Sequence, residues 1–186
     1  MISLTEHNIL ISPIDDLDPS LIEQVGKGIE ERFGYRVESL SLLKDIDFAL
    51  DPSRDQYHST AILQKLADLA PPQTIKLVAI CEKDLFIPIL THVYGEAQLG
   101  GKACIISTHR LTDNLPYINT QKTYYQRVIK EAIHELGHTF NLRHCPDPSC
   151  SMHYCRTIRD VDRKSDNFCR YCRILLDDEI KRLAKK

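Results

Sequence analysis

The sequence predicts an α/β (α+β) fold, built on a mixed, mostly parallel twisted sheet that carries one antiparallel strand at an edge. In the first half of the chain, short apolar runs alternate with helical patterns in the order strand, helix, strand, helix, strand, which is typical of a parallel sheet packed against helices. Further on, Gly100-Gly101 separates two strand-like runs, and such a pair suits a tight antiparallel hairpin. The 186 residues match the usual size of one domain.

The first strand–helix–strand unit has clear sequence boundaries. Residues 8–14 predict a strand, and residues 35–42 show the alternation of a second one. Between them, Asp18 is a suitable helix N-cap, Pro19 a suitable first helical residue, and Gly34 a suitable end. The apolar face of this first helix consists of Leu21, Ile22, Val25, Ile29 and Phe33.

A second helix, the central strand and the hairpin follow. Ser53 is predicted to cap a helix that ends at Pro71-Pro72. Its apolar face consists of Ala61, Ile62, Leu66 and Leu69. Residues 74–82 form a nearly continuous apolar run, as expected of a central strand covered on both faces. Residues 92–99 and 102–108 are the two arms of the predicted hairpin.

The longest helical pattern covers residues 119–140. Its buried face is predicted to comprise Tyr125, Val128, Ile129, Ala132, Ile133 and Leu136. From residue 141 the chain is polar and cysteine-rich, and no periodicity returns until a last helix from about Arg170 to Ala184. The stretch 141–169 is too polar to be held by burial, so another interaction must fix it.

Composition narrows the classes of partner. A net charge of −2 gives no reason to expect nucleic acid or an anionic membrane, and no apolar run is long enough to span a bilayer. Residues 1–14 lack the features of a secretory signal. We therefore expect a cytoplasmic monomer.

The segment His134-Glu135-Leu136-Gly137-His138 has the spacing of a metal site on a helix. Residues four apart are offset by about 40° around the axis and about 6 Å along it, so both imidazoles can reach one ion. Zinc favours imidazole nitrogen, and a catalytic zinc needs three protein ligands with one open position. Glu135 is turned away from the two histidines, where it can accept a proton from a metal-bound water. Two solvated surface histidines are the alternative.

His144 is the candidate third ligand. On a continued helix it would point about 80° away from the first two histidines and lie about 15 Å along the axis from His134. It can join them only if the helix ends soon after His138, and Asn141 tolerates the left-handed conformation that ends helices. The segment HELGHTFNLRH resembles the motif of the metzincin metallopeptidases, with Asn141 in place of their glycine.

A further match to the metzincins lies downstream. The segment SMHYC resembles the methionine-containing turn of that superfamily. The resemblance implies that Met152 packs as an apolar floor beneath the metal rather than binding it. Tyr154 occupies the position of a tyrosine that, in some metzincins, assists at the metal or at the transition state; a tyrosine that supports the fold is the favoured interpretation.

Five of the seven cysteines lie between Cys145 and Cys172. In a reducing compartment such a cluster favours a metal site over disulfides, whereas Cys81 and Cys104 lie in apolar strands and are expected to be reduced core residues. Cys169 and Cys172 form a paired-ligand unit at the start of the last helix. An iron–sulfur cluster is the rival occupant to zinc.

The cysteine spacing narrows the resemblance to the archaemetzincins, whose signature adds these cysteines to the three histidines and the methionine. The resemblance implies a second, structural zinc, so two Zn²⁺ ions per chain. Its ligands would be Cys145, Cys150, Cys169 and Cys172. Cys155 is left over as a free thiol. We expect one domain over 1–186, with an N-terminal subdomain at 1–140 and a small zinc-stabilised C-terminal subdomain at 141–186.

The predicted activity is zinc-dependent hydrolysis of a peptide bond, with Glu135 as general base and a peptide or protein as substrate. Residues 94–99 are expected to form an edge strand along which an extended peptide adds; simple hairpin geometry is the alternative.

The rival function is a non-catalytic zinc protein that uses the cysteine-rich region to bind a partner or nucleic acid. The basic residues there are Arg156, Arg159, Arg163, Lys164, Arg170 and Arg173. Asp160, Asp162 and Asp166 are interspersed with them, so a solvated charged loop is the favoured interpretation.

Overall fold

The fold is built around a mixed, mostly parallel sheet whose central strands are buried. The computed structural model of the chain describes residues 7–185. Its strands are β1 (Asn8–Pro13), β2 (Arg36–Ser39), β3 (Leu50–Asp51), β4 (Gln56–His58), β5 (Thr74–Cys81), β6 (Leu85–Phe86), β7 (Gly95–Ala97) and β8 (Ala103–Ser107). Its helices are α1 (Pro19–Phe33), α2 (Ser59–Leu69), α3 (Thr120–Thr139), α4 (Ile158–Arg163) and α5 (Arg170–Leu183).

The main sheet has the strand order β2-β1-β5-β8-β7. The first four strands are parallel, and β7 pairs with β8 in the antiparallel sense. The mostly parallel sheet with one antiparallel edge strand is therefore confirmed. Seven of the eight residues of β5 are buried, as its continuous apolar sequence predicted.

Helices cover both faces of this sheet. Alternate residues of β1, β5 and β8 pack on one face against α1, α3 and the C-terminal segment, and the remaining residues pack on the other face against α2. The side chain of Asp18 accepts a hydrogen bond from Ser20 N, Pro19 opens α1, and Gly34 ends it with φ +75°. The predicted boundaries of α1 are thus confirmed, and so is the last helix at α5.

Several local predictions are wrong. Ser53 does not cap α2, which begins at Ser59; Ser53 lies in the turn between β3 and β4 and donates to Asp51 Oδ1. These two strands form a second small sheet with β6 that the sequence analysis did not anticipate. Strand-length sequence signals fail for β3 and β6 because each has only two residues.

The structures of the hairpin and of the cysteine-rich stretch also differ in detail from the sequence predictions. The connection between β7 and β8 covers residues 98–102, and only Gly100 of the glycine pair has a positive φ. Gln98 Oε1 closes the turn by accepting from Ala103 N. The helix α4 was missed, although Thr157 and Asp160 form a capping box at its start.

No helix within residues 7–185 is both long and apolar enough to cross a membrane. The absence of a signal sequence was predicted from residues 1–14, and residues 1–6 lie outside the described part of the chain.

Candidate metal centres and active site

Three histidines converge at the C-terminal end of α3. His134 and His138 stand one turn apart, with their Nε2 atoms 3.2 Å apart. The ring of His144 lies 5.4 Å from that of His134 and 4.9 Å from that of His138, between centroids. One ring nitrogen from each residue lies within 4.8 Å of the others. The structure therefore brings together the three histidines that the sequence singled out, here called the histidine triad.

The end of α3 makes this convergence possible. Asn141 has φ +63°, the left-handed conformation predicted for the break. Leu142 N donates to Gly137 O at 3.0 Å, and the hairpin residue Gly100 donates its N–H to His138 O at 2.9 Å. These bonds satisfy carbonyls that the last turn leaves free. The chain then reverses and carries His144 back towards the helix.

Backbone carbonyls fix the orientation of the first two imidazoles. His134 Nδ1 lies 2.7 Å from Ser151 O, and His138 Nδ1 lies 2.7 Å from Leu142 O. Since a carbonyl oxygen only accepts, each Nδ1 carries the hydrogen and each Nε2 presents a lone pair. Burial lowers the pKa of His134 well below its ordinary value and that of His138 to about 4, so both rings are neutral at pH 7.

These features fit a zinc ion. Two unprotonated nitrogens 3.2 Å apart repel each other unless a cation lies between them. Ligand nitrogens 2.0–2.1 Å from a tetrahedral zinc are about 3.3 Å apart. The second ring nitrogen of a zinc ligand usually donates to a carbonyl or carboxylate, as observed here.

Glu135 is buried beside the triad. Burial raises the pKa of its carboxyl well above the ordinary value, the charge of Glu131 adds to this, and Lys164 opposes it. A raised pKa suits a group that first accepts and later donates a proton. Gly95 on the edge strand β7 packs against it so closely that a Cβ there would lie 2.7 Å from Glu135 Cγ.

A buried ion pair borders the same region. Lys164 Nζ lies 2.7 Å from Glu131 Oε1, and both side chains are almost wholly buried. The interpretation of the basic segment as a solvated loop is therefore wrong for Lys164, because its stem and ammonium are enclosed between α3 and α4. Arg159 and Arg163 are exposed, as that interpretation requires, but they lie on α4 rather than in a loop.

The methionine turn lies beneath α3. Met152 is fully buried, and its sulfur packs against Gly137, where any Cβ would overlap it. Cys145 N donates to Met152 O at 2.9 Å, which ties the turn to the strand-like segment after the triad. Tyr154 is exposed at 43%, and its ring lies 4.9 Å from that of His144.

Four cysteines form a second group, here called the four-cysteine cluster: Cys145, Cys150, Cys169 and Cys172. All four sulfurs lie within 4.8 Å of one another, and Cys145 Sγ lies 3.8 Å from Cys169 Sγ. Sulfurs 2.3 Å from a tetrahedral zinc are about 3.8 Å apart, whereas disulfide sulfurs are about 2.05 Å apart. Cys169 N donates to Cys150 Sγ at 3.3 Å. The geometry therefore fits a four-thiolate metal site.

Cys155 does not belong to the cluster. It lies half-buried near Lys164, and burial raises the pKa of its thiol to about 11. The structure thus separates it from the four ligand candidates, in agreement with what the resemblance implied.

The triad opens into a cleft of about 680 Å³. One part of its lining comes from the segment that contains β7 and includes Ile87, Leu90, Val93, Tyr94 and Leu99. Another part comes from the segments after α3 and includes Arg143, His144, Tyr154, Cys155 and Arg156. The edge strand, the triad and Glu135 therefore share one concave surface of a size typical of ligand sites.

Sequence reasoning missed some residues of this site. Glu131 and Lys164 were not connected, because they are distant in sequence and only tertiary packing pairs them. The sign that could have revealed Glu131 is a carboxylate on the buried face of α3, one turn before Glu135. The carbonyls of Ser151 and Leu142 carried no sequence signal, since every residue has one.

The sequence and the fold of this chain are both similar to those of known metallopeptidases. The sequence model of Peptidase family M54 matches residues 37–178. The archaemetzincin of Methanopyrus kandleri is 35% identical over 163 residues, which cover 88% of this chain and 90% of that protein. The archaemetzincin of Archaeoglobus fulgidus is 41% identical over 120 residues, 64% of this chain and 68% of that protein. The crystal structure of the M. kandleri protein superposes with a TM-score of 0.86 at 32% identity, over 97% of this chain and 99% of the other.

Proposed function

The chain belongs to peptidase family M54, the archaemetzincins, and is a zinc metallopeptidase; from this premise we propose which of its residues carry out the reaction. The histidine triad holds the catalytic zinc, and Glu135 is the general base. The observation that carries this assignment is a buried carboxylate beside three converging imidazoles at the floor of an open cleft.

Glu135 moves the protons of hydrolysis. A zinc ion held by His134, His138 and His144 would polarise the scissile carbonyl and make water more acidic. A carboxylate oxygen of Glu135 accepts a proton from the attacking water, holds it, and delivers it to the nitrogen of the leaving amine. Tyr154, next to His144 at the cleft, is the candidate helper at the transition state.

The edge strand β7 positions the peptide. It pairs with β8 on one side only, so its other edge offers backbone groups to an extended substrate. Gly95 brings the backbone of β7 against Glu135. A peptide that adds to β7 therefore passes directly over the base and the triad.

A second zinc ion occupies the four-cysteine cluster in this proposal, giving two per chain. Its ligands join the segment after α3 to the start of α5, which supplies the folding free energy that residues 141–169 lack. The chain is accordingly one domain whose C-terminal subdomain, 141–186, is stabilised by metal.

The test is the variant Glu135→Gln in zinc-loaded protein, profiled on a diverse peptide library. Loss of the base should reduce kcat by about 10²- to 10⁴-fold, while zinc content by elemental analysis stays at the wild-type value. Glu23→Gln, an exposed substitution on α1, is the matched control and should cleave as wild type does. Undiminished turnover by Glu135→Gln would contradict the mechanism.

A further inference from the structure

The cleft is lined by two positively charged side chains, Arg143 and Arg156, that have no role in the proposed reaction. Its carboxylates other than Glu135 already have partners: Glu96 accepts hydrogen bonds from Ser59 and Thr60, and Glu131 pairs with Lys164. Both arginines are exposed, and within residues 7–185 neither guanidinium has an ion-pair partner.

The backbone beneath each arginine is fixed. Arg156 N donates to Asp160 Oδ2 at 3.1 Å, as part of the hydrogen bonds that cap α4. Arg143 lies between Leu142, whose N–H and carbonyl are both hydrogen-bonded, and the triad residue His144. The backbone that carries the two arginines is therefore already ordered at the cleft, so binding an anion there carries no entropy cost for ordering these segments.

Arg156 lies within the length of about three residues of an extended peptide from the histidine triad. Its guanidinium carbon lies 5.9 Å from the centre of the Tyr154 ring, and that ring lies 4.9 Å from the ring of His144. The guanidinium is thus within about 11 Å of the third triad histidine, which an extended peptide spans in about three residues. Arg143 is closer in sequence, since it directly precedes His144.

We propose that Arg143 and Arg156 form a carboxylate subsite of the cleft, so that preferred substrates carry a carboxylate within about three residues of the scissile bond. Arginine is suited to this because its planar group binds a carboxylate through two parallel hydrogen bonds. The inference rests on the proposed function and adds to it the chemical class of substrate.

A peptide can present a carboxylate in two ways, through an acidic side chain or through its free C-terminus. Matched peptides distinguish them. One series has blocked ends and places Glu or Gln at each of the three positions on either side of the cleaved bond. The other has no acidic side chain and ends in a free carboxylate or an amide. The measurement is kcat/KM by mass spectrometry with zinc-loaded protein.

Wild-type protein should favour the carboxylate member of at least one matched pair by about tenfold, the value of a charge-assisted contact in a partly exposed site. The preference should fall to near unity in the double variant Arg143→Gln/Arg156→Gln. Raising NaCl from about 0.05 to 0.5 M should weaken the wild-type preference. Arg159→Gln, an exposed arginine outside the cleft lining, is the control and should keep the wild-type ratio.

Binding provides a readout that does not depend on turnover. Fluorescence anisotropy with the Glu135→Gln variant should show the same tenfold preference, lost when both arginines are replaced. Equal binding of carboxylate and neutral peptides, or a preference that survives the double substitution, would overturn the subsite. Absence of cleavage by wild-type protein alongside selective binding would instead count against the proposed function and leave the subsite supported.

Discussion

At the scale of single residues, the site depends on a glycine as well as on its reactive side chains. Gly95 has no Cβ, and this leaves room for the carboxylate of Glu135 against the edge strand. A Cβ at this position would lie 2.7 Å from both Glu135 Cγ and the carbonyl oxygen of Ile105. The contact with the Ile105 carbonyl can be relieved only by a shift of the β7 backbone, and the contact with Glu135 only by a displacement of its side chain.

Gly95→Ala is therefore expected to lower kcat/KM by about tenfold or more, since a displacement near 1 Å of a catalytic group has effects of that order. Zinc content should not change, because the atoms nearest to the added Cβ belong to Glu135 and Ile105 and not to the triad. Gly26→Ala makes the same chemical change where the nearest atom is 3.5 Å away and serves as control. Full activity of Gly95→Ala at wild-type zinc content would show that Glu135 is not constrained there.

At the scale of elements, α4 connects the C-terminal segment to α3, the helix that carries His134 and His138, through hydrogen bonds and ion pairs. Arg127 Nε and Nη2 donate to the two carboxylate oxygens of Asp162 at 2.8 and 2.9 Å. Lys130 donates to the carbonyls of Val161 and Asp162. Together with the ion pair of Lys164 and Glu131, these contacts place three successive attachments along one side of α3.

Replacing Lys164 should show how much its buried ion pair with Glu131 contributes to the free energy of unfolding. Lys164→Met leaves the carboxylate of Glu131 buried without a partner, which is expected to lower the free energy of unfolding by about 3–5 kcal/mol. Urea denaturation of zinc-loaded protein measures it, and Glu131→Gln in the same chain should recover part of the loss. Lys181→Met, at an exposed pair, should change stability by less than about 0.5 kcal/mol.

Asp84, which directly precedes β6, connects the second sheet to the turn that follows β8. Arg110 Nε and Nη2 donate to its two oxygens, each at 2.8 Å, and Gln56 Nε2 donates to Oδ2 at 2.8 Å. Burial raises the pKa of Asp84, but the hydrogen bonds from Arg110 and Gln56 outweigh it, so the pKa lies below its ordinary value of 3.8. The folded state therefore favours the ionised form.

Because the pKa of Asp84 is lower in the folded than in the unfolded protein, its ionised carboxylate stabilises the fold at pH values above the unfolded-state pKa. This stabilisation is lost as the pH falls through the folded-state pKa. Asp84→Asn should accordingly lower the free energy of unfolding by about 1–2 kcal/mol at pH 7. The difference from wild type should shrink below about pH 4. Denaturant titrations from pH 7 to 3 measure both, with the exposed Asp68→Asn as control. A difference that stays constant with pH would contradict the linkage.

At the scale of the whole molecule, the two proposed metal sites depend on the same short connection. Cys145 directly follows His144 and lies in the four-cysteine cluster, while its N–H is bound to the turn that contains Met152. The cluster also includes the start of α5. The position of the third histidine is thus tied to the far end of the chain, and the structural metal should support both stability and catalysis.

The two sites should be separable by metal analysis and thermal unfolding. Cys172→Ser is expected to lose one zinc equivalent and to lower Tm by about 10 °C or more, with activity falling as well. His138→Ala should lose the other equivalent with a smaller change in Tm, and Cys155→Ser should retain both ions. Iron in place of zinc, revealed by visible absorption, would instead favour the iron–sulfur alternative.

Much of the site could be predicted because its signals are local. The spacing of His134 and His138 follows from helix geometry, and the break at Asn141 follows from the conformations that asparagine tolerates. The wrong or missing predictions concern contacts between distant segments. Ser53 resembled a helix cap, yet it lies in a hairpin turn of the second sheet. Lys164 resembled a solvated residue, yet it is buried against Glu131.

By itself, the sequence determined the order of the main strands and helices and singled out the three histidines, because periodicity and ligand spacing are properties of neighbouring residues; the choice of four cysteines came from the resemblance to the archaemetzincins. Only the tertiary structure decided how these parts meet: that β7 places Gly95 against Glu135, that Lys164 reaches Glu131, and that two arginines line the cleft without an ion-pair partner among residues 7–185. These facts depend on which distant surfaces pack together, and packing is a property of the whole chain that no local pattern contains.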